Sequence, residues 1–239
     1  MSRHAVLLCE GYHDRAFWAG VLRERGWSDA RDASGKAHDP LGKLVRDGRY
    51  AFRKNEHFVV VVPCLGAPNI APAARQQFLA AKLDTGRAGC IDQVVACFDG
   101  DAGELGSVQS IRDRWKEAFG ATPPSTPSWT QDGLRVDVLF LHSSDPRYST
   151  SLDGLVASAF AEAQPERDHA IRSWLSDRPD PPAKPSKETM WSIMAGWFAE
   201  QGCDSFLQHG LWSDAAVRER VLLAVDRCQL TPMLDALET

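Results

Sequence analysis

Val94-Val95-Ala96-Cys97-Phe98-Asp99-Gly100-Asp101 is an apolar run that ends in two carboxylates separated by one small residue. The run has the length of a strand. A strand that leaves an α/β sheet here would carry both acids to its carboxyl end, where open α/β sheets place their ligands. Paired oxygen donors of this kind suit a hard divalent cation such as magnesium. A second acidic cluster closes the first apolar run, Ala5-Val6-Leu7-Leu8-Cys9-Glu10-Gly11, and is followed by Asp14. The two clusters together predict two strand ends that converge on one metal.

Working outward, apolar runs alternate with helical periodicity. His4 to Glu10 reads as a buried strand, and Asp14 as the cap of a helix through Arg25, with Phe17, Trp18, Val21 and Leu22 inward and Gly26 as its stop. Phe58 to Val62 is the second strand, Ala71 to Leu83 a helix, and Gln93 to Phe98 the third strand. Ser107 caps a helix to Phe119, and after a proline-rich loop Val136 to Leu141 is the fourth strand. This order predicts a mostly parallel, Rossmann-like sheet of about four strands flanked by helices, with right-handed crossovers. Residues 1–150 would form this α/β core. Residues 151–239 would be a helical C-terminal extension packed on it, with helices at Ser151–Ala163, His169–Leu175, after Ser186, and from Asp214 to Leu237. No internal repeat stands out.

Residues 31–56 interrupt the alternation as a basic insertion. Arg31, Lys36, Lys43, Arg46, Arg49, Arg53 and Lys54 face few acids there, with Tyr50 and Phe52 among them. One reading is a solvated loop with a short helix and packed aromatics. The other is a rim that contacts phosphates and stacks bases.

At 239 residues and a formal net charge of −5, the chain can bury a substantial core but is not built to coat nucleic acid by bulk electrostatics. An acidic, metal-filled centre beside a local basic groove remains compatible with that balance. The six cysteines lack CxxC or Cys/His spacing, so neither zinc nor a disulfide framework is expected. Apolar stretches are too short to span a bilayer, and no secretory pattern precedes the first strand, so a cytoplasmic location is expected.

With Glu10-Gly11-x-x-Asp14 closing the first strand and Asp99-x-Asp101 closing the third, residues 4–145 resemble the Toprim domain of topoisomerases, primases, recombination proteins and OLD-type nucleases. The stretch beyond Leu141 looks like the stand-alone Toprim-like proteins related to OLD nucleases. There a Leu-Glu-type motif opens a helix, here Leu152-Asp153, and a lysine starts a later one, here Lys187. Asp153 stands where relatives carry glutamate, and Gly100 where alanine or proline is common. The ATPase motif GxxxxGK[ST] of full OLD proteins and the cleavage domain of a topoisomerase are missing from this sequence.

The resemblance implies Mg²⁺- or Mn²⁺-dependent phosphodiester hydrolysis on nucleic acid, DNA or RNA, with an ATPase as a possible protein partner. Glu10, Asp99, Asp101 and Lys187 would be catalytic. The metal ligands would be Glu10, Asp14, Asp99, Asp101, Glu104 and Asp153, and Gly11 and Gly100 would let the backbone approach. Each has a plainer alternative: Asp14 a helix cap, Glu104 a solvated loop residue, Asp153 a charge at a helix N-terminus, Lys187 an exposed lysine. His13 and His142 near strand ends read as ordinary histidines. The competing function is a non-catalytic Toprim-like module that binds nucleotide or nucleic acid. A receiver-like protein is disfavoured, because its paired acids would follow the first strand.

Overall fold

The computed structural model describes residues 3–46, 48–87, 89–100, 108–120, 122, 128–131, 133–141, 145, 147–148, 151–179, 193–197, 201–228 and 235. Strand β1 (His4–Cys9) leads into helix α1 (Tyr12–Glu24), then β2 (Ser28–Asp29), β3 (Ala37–His38), β4 (Leu44–Val45), β5 (Tyr50–Lys54) and β6 (His57–Pro63). Helix α2 (Ile70–Leu83), β7 (Gln93–Asp99), α3 (Val108–Phe119), β8 (Ser128–Gln131) and β9 (Leu134–Leu141) complete the sheet layer. Helices α4 (Leu152–Ala163), α5 (Pro165–Ser176), α6 (Cys203–Gln208) and α7 (Ala215–Arg227) follow, and residues 193–197 are helical.

The main sheet has seven strands in the order β2-β5-β6-β1-β7-β9-β8. The four expected strands are its parallel centre, β6-β1-β7-β9. The sequence reading missed three more, each antiparallel to the strand it pairs with: β5 on β6 and β2 on β5 at one edge, β8 on β9 at the other. The centre was legible because strands buried on both faces are continuous Val-rich runs. The edges were not, because Tyr50-Ala51-Phe52-Arg53-Lys54 carries the charge of a loop and Ser128–Gln131 the polarity of one.

Alternation splits the apolar residues between two faces. Leu7, Cys9, Val95 and Cys97 pack with α1, α4, α6 and α7 in one buried cluster. Val6, Leu8, Val94, Ala96 and Phe98 pack with α2, α3 and the β3–β4 hairpin in the other. The chain thus leaves β1 toward one face, through α1, and leaves β7 toward the opposite face, through α3. The carboxyl ends of β1 and β7 are therefore the switch point of the sheet, where open α/β sheets place their ligands.

Residues 32–36 and 39–43 form a short repeat that the sequence reading overlooked. Asp-x-x-Gly-Lys occurs twice, and in each copy the aspartate Oδ1 accepts from two backbone amides ahead of it. In each, the glycine sits at positive φ, 76° for Gly35 and 77° for Gly42.

The C-terminal helices are locked to α1 by a close approach. A Cβ on Gly20 would lie 1.8 Å from Nε1 of buried Trp212, whose indole N–H donates to the Leu207 carbonyl at 2.7 Å. Alanine has a helix propensity about 1 kcal/mol better than glycine, but here it must displace a packed, hydrogen-bonded ring. Gly20→Ala is therefore expected to destabilise the protein by about 1–3 kcal/mol, the usual cost of overpacking, measured by urea denaturation.

Candidate functional site

Glu10 follows β1 directly, and its carbonyl accepts from the Gly66 amide at 2.7 Å, prolonging the β1–β6 pairing past the strand. Its side chain turns toward β7: Oε1 accepts from the Asp99 amide at 2.9 Å. Asp99, the last residue of β7, is 6% exposed and shares the parity of Val95 and Cys97, so it faces the α1 and α4 side. There its Oδ1 accepts from the Leu152 amide at 2.9 Å. That amide belongs to the first residue of α4, whose N-cap is Ser151. A carboxylate in this position gains from both the open N–H groups and the dipole of the helix.

Asp14 is not the cap of α1. Gly11 occupies the N-cap in an extended conformation, and Asp14, in the first turn, reaches back so that Oδ2 accepts from the Gly11 amide at 2.9 Å. Burial, followed by the negative charges of Asp99 and Glu10, pushes its carboxyl up from 3.8 to about 8. Of the acids expected to converge, Glu10, Asp14 and Asp99 lie close enough at the carboxyl ends of β1 and β7 to act on one another electrostatically. Asp153 joins their margin: it is buried in the first turn of α4. Burial, then Asp153, Asp204 and Asp14 together, push the Cys203 thiol up to about 12. Gly100 continues the β7–β9 ladder, its amide donating to the Leu141 carbonyl at 2.7 Å. Asp101, Glu104, Lys187 and His142 lie outside the described residues.

Residues absent from the sequence reading support this centre. Arg15, 7% exposed, donates through Nη1 to the Gly48 carbonyl at 2.6 Å and lies 3.4 Å from Asp204 of α6. It ties α1 to both the insertion and the C-terminal helices. Its signal was its place one residue after Asp14, but a cation in a helix reads as solvated unless the fold is known. His13 is a surface histidine, 3.7 Å from Asp204.

The basic insertion does not form one rim. Tyr50 pairs with Val61 near the carboxyl end of the parallel strands, whereas Lys54 pairs with His57 at the opposite end. Arg49 and Arg31 therefore lie toward the acidic end. Lys54, whose Nζ donates to the Arg25 carbonyl at 2.7 Å, and Arg53 lie at the far end. Lys43 is bound to Asp84 just after α2, also at the far end. The hairpin β3–β4 crosses the sheet face between the two ends, burying Ala37 and Val45.

Among the described residues no group of three His, Cys, Asp or Glu side chains is by itself arranged to hold a metal ion. The chemistry of the donors nevertheless fits one. Burial first, and then the charges of Asp99 and Glu10, hold Asp14 at about 8; a divalent cation would relieve the part that is like-charge repulsion, and backbone amides orient one oxygen of each of Glu10, Asp14 and Asp99.

No family model matches the sequence, and no curated protein matches it. The crystal structure of hypothetical protein PH0156 from Pyrococcus horikoshii OT3 is similar in fold, with a TM-score of 0.69 at 16% sequence identity, covering 99% of this chain and 100% of that one. No helix among the described residues is long and apolar enough to cross a membrane.

The Asp14 carboxyl titrates higher folded than unfolded, so between about pH 4 and pH 8 the folded state holds the extra proton. Stability from this group is lost as pH rises through that window. In metal-free buffer the melting temperature of the wild type should fall, relative to Asp14→Asn, from about pH 5 to about pH 9. The asparagine keeps an acceptor for Gly11 and carries no charge. Parallel pH profiles for the two proteins would contradict this assignment.

Proposed function

We propose that this chain is a Toprim-like, Mg²⁺- or Mn²⁺-dependent phosphodiesterase that acts on nucleic acid, with an ATPase as a candidate partner. The observation that carries the reading is the bond from the Asp99 amide to Glu10 Oε1, which joins the carboxyl ends of β1 and β7 and brings their acids together. Glu10 and Asp99 would hold the metal, with Asp101 beside them and Asp14, Glu104 and Asp153 as further ligands. A divalent ion so held polarises a phosphoryl oxygen and lowers the pKa of a bound water.

The protein's own residues do the rest. The amide of Leu152 fixes one oxygen of Asp99, so that the carboxylate is oriented before any ligand arrives. The amide of Asp99 fixes Glu10 in the same way, and Glu10 then serves as ligand or as the base that takes a proton from water. Asp14 holds its proton near neutral pH until positive charge enters the centre. Lys187 would offset charge that develops on the phosphate.

A second reading, a non-catalytic Toprim-like module binding nucleotide or nucleic acid, draws on a specific observation: Asp99 Oδ1 is already engaged by α4. Turnover decides between them. Nicked, linear and single-stranded DNA, and RNA, incubated with Mg²⁺ or Mn²⁺ should be cleaved by the wild type. Asp99→Ala and Glu10→Gln should lower the rate by more than about 100-fold, beyond the 10–100-fold cost of losing a supporting contact. Intact substrates with both metals, or equal cleavage by Asp99→Ala, would reject the nuclease.

A further inference from the structure

We propose that Tyr12 is a stacking platform for an unpaired base beside the acidic centre, which makes single-stranded nucleic acid the preferred ligand. The inference rests on the nucleic-acid reading above and adds the strand class and the residue that selects it.

Tyr12 opens α1, two residues after Glu10, and stays 47% exposed. Isolated exposed aromatics are common on protein surfaces, but this one is braced. The Arg15 guanidinium lies 4.9 Å from the Tyr12 ring centroid and 4.1 Å from that of Tyr50, and Arg31 lies 3.6 Å from Tyr50. Tyr12, Arg15, Tyr50 and Arg31 thus form an alternating ladder of rings and guanidiniums that runs from the acidic centre into the insertion.

The ladder is pinned at several points. Arg15 is buried and donates to the Gly48 carbonyl, and Arg31 is clamped by Asp29 through Nε at 2.9 Å and Nη2 at 2.6 Å. Gly48, at φ 76°, approaches so closely that a Cβ there would meet Tyr12 Cε1 at 3.1 Å. A large aromatic side chain is therefore held in place while about half of it remains in water.

Such a ring offers a π-face that any base can use, so stacking is tolerant of sequence and strongest where a base is free to leave its neighbours. A paired base inside a duplex has both faces covered and pays an unstacking cost to reach the ring. Arg15 polarises the ring from within, and exposed Arg49 at the same end supplies a cation for the backbone.

The test uses the full chain with Ca²⁺ present, and reads fluorescence anisotropy of a labelled oligothymidylate with a covalently closed circular duplex as competitor. The wild type should bind the single strand and resist the duplex. Tyr12→Ala should weaken single-strand binding by roughly 5- to 100-fold, and Tyr12→Phe should stay within about twofold, because it keeps the ring. Circular dichroism melts confirm folding, and Mn²⁺-induced thermal stabilisation should be the same in Tyr12→Ala as in the wild type.

Unchanged single-strand affinity in Tyr12→Ala, an equal loss in Tyr12→Phe, or a wild type that prefers the closed duplex would each overturn the platform while leaving the metal centre standing. A wild type with neither metal stabilisation nor binding to any nucleic acid would overturn the platform and the proposed function together.

Discussion

The bond between the Asp99 amide and Glu10 holds the site together, because it makes two strands share their negative ends. Carboxylates repel one another, and a loop left to itself would splay them into water. Here each is tethered by a backbone N–H: Glu10 by Asp99, Asp99 by the start of α4, and Asp14 by Gly11. Tethering keeps the charges close, and Asp14, raised first by burial and then by Asp99 and Glu10, answers by holding a proton.

The fold supplies those tethers through its topology. Since β1 feeds α1 on one face and β7 feeds α3 on the other, the carboxyl ends of these two neighbouring strands form the switch point of the sheet. The N-terminus of α4 then closes over the centre from the α1 face, and α6 reaches it through Arg15 and Asp204. The C-terminal helices therefore build part of the centre, and the large buried cluster that runs from β1 to α7 is what fixes them there.

Much of this was legible in the sequence. The four parallel strands announced themselves as apolar runs, and the acids at their ends were visible because strand ends are where such runs stop. Glu10, Asp14 and Asp99 were identified from that position, and the geometry gathers them. Less local features were not legible. Asp14 as a back-reaching residue rather than a cap depends on Gly11 taking the N-cap. The antiparallel edges depend on β6 offering a partner to a stretch as charged as Tyr50–Lys54. The cations of the insertion stand close together in sequence, yet the antiparallel strand β5 separates Arg49, toward the acidic end of the sheet, from Arg53 and Lys54 at the opposite end. The role of Arg15 emerges only when α6, far along the chain, returns to α1.

The most direct test is calorimetric titration of Mn²⁺ into the wild-type protein near pH 7, in two buffers that differ in ionisation enthalpy. If Glu10, Asp14 and Asp99 form one charge-coupled centre, the ion should bind with release of close to one proton, because positive charge draws down the carboxyl held near 8. No binding heat in either buffer, or binding whose heat is the same in both, would contradict it.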